Sequence, residues 1–369
     1  MTEHHPRTTC GEKWRHHMTD GPAVQNKLDM TAADEAIIRD AVEDALKNMG
    51  IRPKNSTQDG GLKMEQIRTL DKLVDYAKSV GPKRLSVACA EDSIVMDAVE
   101  KARKEGMITG ILVGNADKIR EVMQKMGIDA GNYEIVDEKG GPAKAAVKAV
   151  EVVSSGKADI LMKGMLETAD FLRGVLNKEV GLTVGKKILS HSYIHQIKGY
   201  DRLIFVTDGV FNVYPELTEK IAIVNNVVAL CHSFGIECPK IAGLAAVEVV
   251  NPKMPPTLDA AALTMMNRRG QIKGCLIDGP LALDNAVSPE SAQHKGIKSE
   301  VAGYADVLLV PDIEAGNILL KSIVYFSENR TAAIVLGAKA PVILSSRADS
   351  ADTKFLSIAT AVAVAAFKK

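Results

Sequence analysis

The sequence predicts an α/β fold of two domains, built on mostly parallel sheets with helices on both faces. Three observations carry that expectation. The chain has 369 residues, more than one ordinary core accommodates and close to two domains of roughly 150 residues each. From Leu62 onward, short apolar runs alternate steadily with longer runs of helical spacing, the rhythm of βαβ units. Apolar residues make up 46 % and charged residues 25 %, the balance of a globular chain with a packed core.

The first 62 residues stand apart. Residues 1–30 are polar, carry His4, His5, His16 and His17, and show no apolar period, which predicts a solvated tail. Residues 31–49, TAADEAIIRDAVEDALKNM, predict a helix. Thr31 can cap it, Asp34 and Glu35 suit its first turn, and Ile38, Val42, Ala45, Leu46 and Met49 make one apolar stripe. Gly50 ends it, and the turn-rich stretch IRPKNSTQDGG reads as a linker.

The alternation then runs as follows. A helix over 64–80 leads to a strand at 85–90, and a helix at 92–105 leads to a strand at 108–114. A helix at 116–126 precedes a strand at 133–137, and a helix at 142–154 precedes ADILMKG at 158–164. Residues 181–200 read as irregular strands. After them come a strand at 201–209, a helix at 216–234, a strand at 241–249, a helix at 257–268 and a strand at 275–280. The segment 306–317 carries a strand into a helix near 316–327, two strands follow at 332–338 and 341–345, and a helix over 351–367 closes the chain.

Charge excludes some classes of function. Lys+Arg and Asp+Glu are equal at 46 each, so no basic face for nucleic acid is expected. No stretch approaches the roughly 20 apolar residues of a membrane span, and the N-terminus has no apolar signal core. The five cysteines lack metal-finger spacing. Cys89 and Cys275 sit inside apolar runs, which predicts buried, reduced thiols in a cytoplasmic protein.

In open α/β sheets ligands bind beyond the carboxyl ends of strands, so polar residues there are the candidates. Lys163-Gly164 end one strand, and Thr168 and Arg173 follow on the next helix. TDGVFNVYP offers Asp208 and Asn212, IDGPLALD offers Asp278, and PDIEAGN offers Asp312, Glu314 and Asn317. Each of these is also what a turn or helix cap contains. SSRADS, residues 345–350, has the clearest chemistry. Ser346, Arg347 and Ser350 precede a helix N-terminus, whose free N–H groups attract anions, and Arg347 adds a planar fork suited to phosphate oxygens. No P-loop is present and no G-x-G-x-x-G follows a strand, against ordinary nucleotide binding.

In order, LMKG…TADFLR, VTDGVFNVYP, LIDGPLALD, LLVPDIEAGN and PVILSSRADS resemble the phosphate acetyltransferase and phosphate butyryltransferase family over about Leu62 to Lys369. VTDGVFNVYP and SSRADSADTK look more like the butyryl branch. The resemblance implies two three-layer α/β/α domains around a cleft, similar to isocitrate dehydrogenases. Domain I would be 63–184 plus 335–369, domain II 185–334, and residues 1–62 an extension. It implies transfer of a short acyl group between coenzyme A and inorganic phosphate, with coenzyme A as substrate or product and no separate cofactor or metal. Homo-oligomers and coupling to a short-chain acid kinase go with it.

Matched to the family's motifs, Ser346 would donate to the acyl oxygen and Arg347 would hold phosphate or the coenzyme. Arg173 would bind the phosphoryl group, and Lys163 matches the family's K-G pair. The acetyl branch places an aspartate seven positions after the serine. Here that position is Thr353, so Asp349 and Asp352 are the remaining candidates for a base. The helix of 31–49 resembles peptides that lead enzymes into bacterial microcompartments; a helix docked on its own enzyme is the other reading. Two other functions share related chemistry or fold. One is an acyltransferase using acyl carrier protein. The other is an NAD(P)-linked dehydrogenase, which would need a clustered aspartate set that the sequence lacks.

Overall fold

The computed structural model describes residues 65–185, 187–346 and 349–367. The expected helix of 31–49 and Arg347 lie outside these residues. Helix α1 (Leu70–Val80) starts where the Thr69 side chain accepts from the backbone N–H of Lys72, and it buries Leu70, Leu73 and Ala77 at helical spacing. The alternation then follows closely: β1 (Lys83–Ala88), α2 (Ser93–Lys104), β2 (Ile108–Gly114), α3 (Ala116–Lys125), β3 (Tyr133–Asp137), α4 (Pro142–Ser154), β4 (Ile160–Lys163) and α5 (Thr168–Val175). Next come β5 (Ser190–Ile197), β6 (Ile204–Thr207), α6 (Leu217–Ser233), β7 (Lys240–Leu244), α7 (Pro255–Arg268) and β8 (Leu276–Leu281). The chain continues through α8 (Leu283–Val287), α9 (Pro289–His294), β9 (Val307–Leu309), α10 (Ile313–Phe326), β10 (Asn329–Leu336), β11 (Val342–Ile343) and α11 (Ala351–Phe367).

Among the described residues, eleven strands form one sheet in the order β3-β2-β1-β4-β11-β10-β5-β6-β9-β7-β8. β3, β2, β1, β4 and β11 are mutually parallel. So are β6, β9, β7 and β8. β10 and β5 join the two blocks as an antiparallel pair in register from Asn329–Ile197 to Leu336–Ser190. The mostly parallel α/β class is therefore as expected.

One element differs. Residues 181–200 do not make irregular strands: 190–197 form a regular eight-residue strand in the sheet interior. Ser190, His191, Ser192 and His195 are all buried there, so both faces carry polar residues and the alternation that signals a strand is erased.

The last strand fixes the location of the site. β11 inserts beside β4 with Ile343 opposite Met162. Lys163 at the end of β4 and the residues that follow β11, Leu344 onward, therefore emerge at one edge although 180 positions lie between them in the chain. Helix α11 then plunges into the core. Every residue from Lys354 to Val364 is buried, as expected of a helix apolar on all sides.

Candidate active site

A cavity of about 650 Å³ opens at the ends of β4 and β11 and runs across β10 and β5 to helix α10. It is lined by seven of the residues singled out from the sequence: Lys163, Thr168, Asn317, Ser346, Asp349, Ser350 and Asp352. Its apolar lining includes Leu166, Val210, Leu320, Val324 and Leu344. A concave, part-apolar site with converging polar groups is the usual form of a small-molecule site.

The loop after β11 is held tightly. The Asp349 carboxylate accepts from the backbone N–H of Ser346 at 2.7 Å. The Ser350 hydroxyl accepts from the N–H of Thr353 at 3.1 Å and so caps α11. Lys354, 4 % exposed, donates from Nζ to the carbonyls of Ser346 (3.0 Å) and Asp349 (2.8 Å). Burial lowers the pKa of this lysine, while Asp349 works in the opposite direction. One cationic donor shared by the two part-buried carbonyls ties Ser346 and Asp349 to α11. A lone lysine in the apolar run KFLSIATAV was the signal that could have identified it.

Arg330, at the start of β10, also lines the cavity and was missed. It grips Asp352 with Nε at 3.1 Å and Nη2 at 3.2 Å, and Asp71 with Nη1 at 2.7 Å. Both Asp352 oxygens are thereby engaged. Lys163 is buried at 2 % exposure, and its ammonium lies in the cavity wall. Tyr193, on β5, forms part of the cavity surface; its phenol pKa is raised by burial and then by the Asp349 carboxylate. Glu167, Lys321, Asn329, Thr331 and Ser345 are further polar lining residues that sequence reasoning missed.

Other expected residues serve the framework. A Cβ on Gly164 would stand 2.1 Å from the carbonyl oxygen of Cys89 and 2.4 Å from that of Ala88, so this glycine permits close packing on β1 and does not line the cavity. Arg173 projects outward and pairs with Asp170 on its own helix. Asp208 is buried and accepts from the N–H groups of Val210 and Phe211 and from Asn212, whose amide also donates to Leu189. Burial raises the Asp208 pKa against these bonds. Asp312 caps α10 by accepting from Ala315, and Glu314 accepts from the Tyr214 hydroxyl. Asp278 lies on β8, at the far end of the sheet, 4.0 Å from Arg268. These are turn and cap duties, the alternative such residue types always carry.

Cys89, Cys231 and Cys275 are buried free thiols, as expected. Burial pushes Cys89 up to about 12, which leaves almost no thiolate at neutral pH for nucleophilic work. Among the described residues no group of three or more His, Cys, Asp or Glu is placed to hold a metal ion, and no helix is long and apolar enough to cross a membrane.

A parallel-sheet framework with a polar cavity at its strand ends, walled by a buried lysine and closed by a serine loop at a helix N-terminus, defines an α/β enzyme acting on an anionic substrate. The phosphate acetyl/butaryl transferase family profile matches residues 142–362, and the chain belongs to that family. It is 52 % identical over 302 residues to a phosphate butyryltransferase from Clostridium acetobutylicum, covering 82 % of this chain and all of that one. It is 44 % identical over 290 residues to a phosphate acetyltransferase from Thermotoga maritima, covering 79 % of this chain and 97 % of the relative. A solved branched-chain phosphotransacylase from Enterococcus faecalis V583 superposes with a TM-score of 0.68 at 32 % identity, over 77 % of this chain and 99 % of that structure.

Proposed function

We propose that this protein transfers a short-chain acyl group from coenzyme A to inorganic phosphate, and back, by direct attack within a ternary complex. The observation that carries the reading is the convergence of Ser346, Lys163 and the α11 N-terminus on one cavity with an apolar wall. Phosphate is a weak nucleophile toward a thioester and has to be held and aligned. The cations and backbone donors suit the phosphate, and the apolar wall suits the acyl chain.

In this reading Ser346 donates to the developing oxyanion. Asp349 takes the proton in preference to Asp352, because Arg330 already occupies both Asp352 oxygens. Arg347 and Lys163 hold phosphate. Arg173 keeps the phosphoryl role its motif gives it only if its pairing with Asp170 opens. The identity to the Clostridium enzyme and the VTDGVFNVYP segment favour butyryl over acetyl groups. The domain boundaries we favour remain 63–184 plus 335–369 and 185–334, and the cytoplasm is the favoured compartment. Residues 31–49 give a second reading of location, inside a microcompartment shell. Helix α10 exposes Ile318, Tyr325 and Phe326, the last at 89 %, which favours a homo-oligomer contact there. Coupling to an acid kinase follows from the acyl phosphate product.

The test is phosphate-dependent release of free thiol from acetyl-, propionyl- and butyryl-CoA. Fastest release is expected from butyryl-CoA. Release from none of them would overturn the reading, and a requirement for acyl carrier protein would replace it.

A further inference from the structure

Strand β5 aims His191, Tyr193 and His195 at one face, since alternate residues of a strand share a side. The Tyr193 ring meets His191 edge-on at 4.9 Å between centroids and stacks nearly parallel to His195 at 5.8 Å. Both histidines are themselves anchored. His191 Nε2 lies 3.3 Å from the Leu344 carbonyl, which can only accept, so the proton sits on Nε2. His195 Nδ1 lies 3.0 Å from the Thr331 hydroxyl, which spends its own proton on Asn329 Oδ1 at 2.7 Å, so Nδ1 donates. Two uncharged, fixed rings thus grip the tyrosine. Its ring forms part of the cavity surface, yet among the described residues its hydroxyl has no hydrogen-bond partner. A phenol held this firmly, with its donor left unused inside a site, is prepared for a ligand atom.

We propose that Tyr193 is a catalytic residue whose hydroxyl donates a hydrogen bond to the acyl carbonyl oxygen as it becomes an oxyanion. This rests on the acyl-transfer reading above. A phosphate oxygen forms a bond to the carbonyl carbon, and the C=O π pair moves onto the oxygen that Tyr193 faces. When that pair returns, the carbon–sulfur bond breaks. The coenzyme A sulfur leaves with the bonding pair and takes up, from Asp349, the proton that phosphate gave to that carboxylate. Tyr193 keeps its proton throughout. An uncharged donor suits a carbonyl that starts neutral and gains charge only on attack, whereas the ionised phosphate is served by Lys163 and Lys321 in the same wall. The neighbouring Asp349 carboxylate also holds the phenol in its protonated, donating form.

Tyr193→Phe removes only the hydroxyl and leaves no buried group unpaired, so the melting temperature should stay within about 2 °C. With butyryl-CoA and phosphate, kcat should fall roughly 10- to 100-fold, the loss expected of one uncharged oxyanion donor, with both KM values within about twofold. A kcat within twofold of wild type, a rise confined to the KM for phosphate, or a melting temperature several degrees lower would each overturn the proposal. Wild-type enzyme is assayed beside the variant. Inactive wild type would defeat the acyl-transfer reading and this proposal together, whereas active wild type with a variant whose kcat stays within twofold of it would defeat this proposal alone.

Discussion

Arg330 closes on Asp352 with two nearly equal hydrogen bonds, Nε at 3.1 Å and Nη2 at 3.2 Å, one to each carboxylate oxygen. The pair ties the start of β10 to the first turn of α11, beside the loop that carries Ser346. A carboxylate with both oxygens engaged is a poor proton acceptor, whereas the Asp349 carboxylate accepts through Oδ2 from the N–H of Ser346.

The two aspartates should therefore separate cleanly. Asp352→Asn should keep turnover within about threefold and lower stability by only about 0.5–1 kcal/mol, because both partners are more than a third exposed and solvent screens them. Asp349→Asn should lower turnover by more than about tenfold. Steady-state rates and urea unfolding of both variants check this, and the reverse ranking would return the base to Asp352.

Ser346→Ala should lower kcat by about 10²–10³-fold, the loss seen when one oxyanion donor is removed, with little change in either KM. Arg347→Ala should lower turnover by at least about tenfold through loss of a charged contact. Initial rates of thiol release measure both. Near-normal rates in either variant would remove the role assigned to that residue.

Gly164→Ala tests packing and not chemistry. The added carbon would overlap two backbone carbonyl oxygens that have no room to move, at 2.1 and 2.4 Å. A loss of about 2–4 kcal/mol is expected, the upper range for overpacking. Unchanged thermal unfolding would show that β1 and β4 sit further apart than described.

Acid stability should report the two buried histidines. Burial lowers each ring to about 4 from 6.5. The unfolded chain then takes up protons below pH 6.5 and the folded protein only near pH 4. The stability linked to the neutral rings is thus complete above pH 6.5 and lost as the pH falls from 6.5 towards 4, by up to roughly 3 kcal/mol for each ring. Asp208, with its raised pKa, opposes this trend modestly. Urea unfolding at pH 7.0, 5.5 and 4.5 should show the decline, and His195→Gln should flatten it. An equal slope in that variant would show that His195 does not contribute.

Much was legible in the sequence because it depends on near neighbours. Apolar spacing predicted nearly every strand and helix from α1 to α11. The motif order predicted the family that the profile and the relatives show. The SSRADS loop was legible as a site because serine and arginine before a helix N-terminus have a chemistry that does not need distant partners. β5 was misread since its burial on both faces, between β10 and β6 inside the sheet, is not written in its own residues.

The same limit explains the division among strand-end residues. Sequence alone set Ser346 apart by its loop but put Lys163, Asp208, Asp278 and Asp312 on equal terms, as polar groups after apolar runs. Only the tertiary structure decided that Lys163 and Ser346 share a cavity while Asp208 and Asp312 serve turns and caps. The reason is β11. By inserting between β4 and β10 it carries the end of the chain back to its first half, and it places Arg330, Tyr193 and the Ser346 loop around one space. Local pattern determines which elements form. Which strand ends become neighbours depends on pairing between segments far apart in the chain, and no local spacing encodes that pairing.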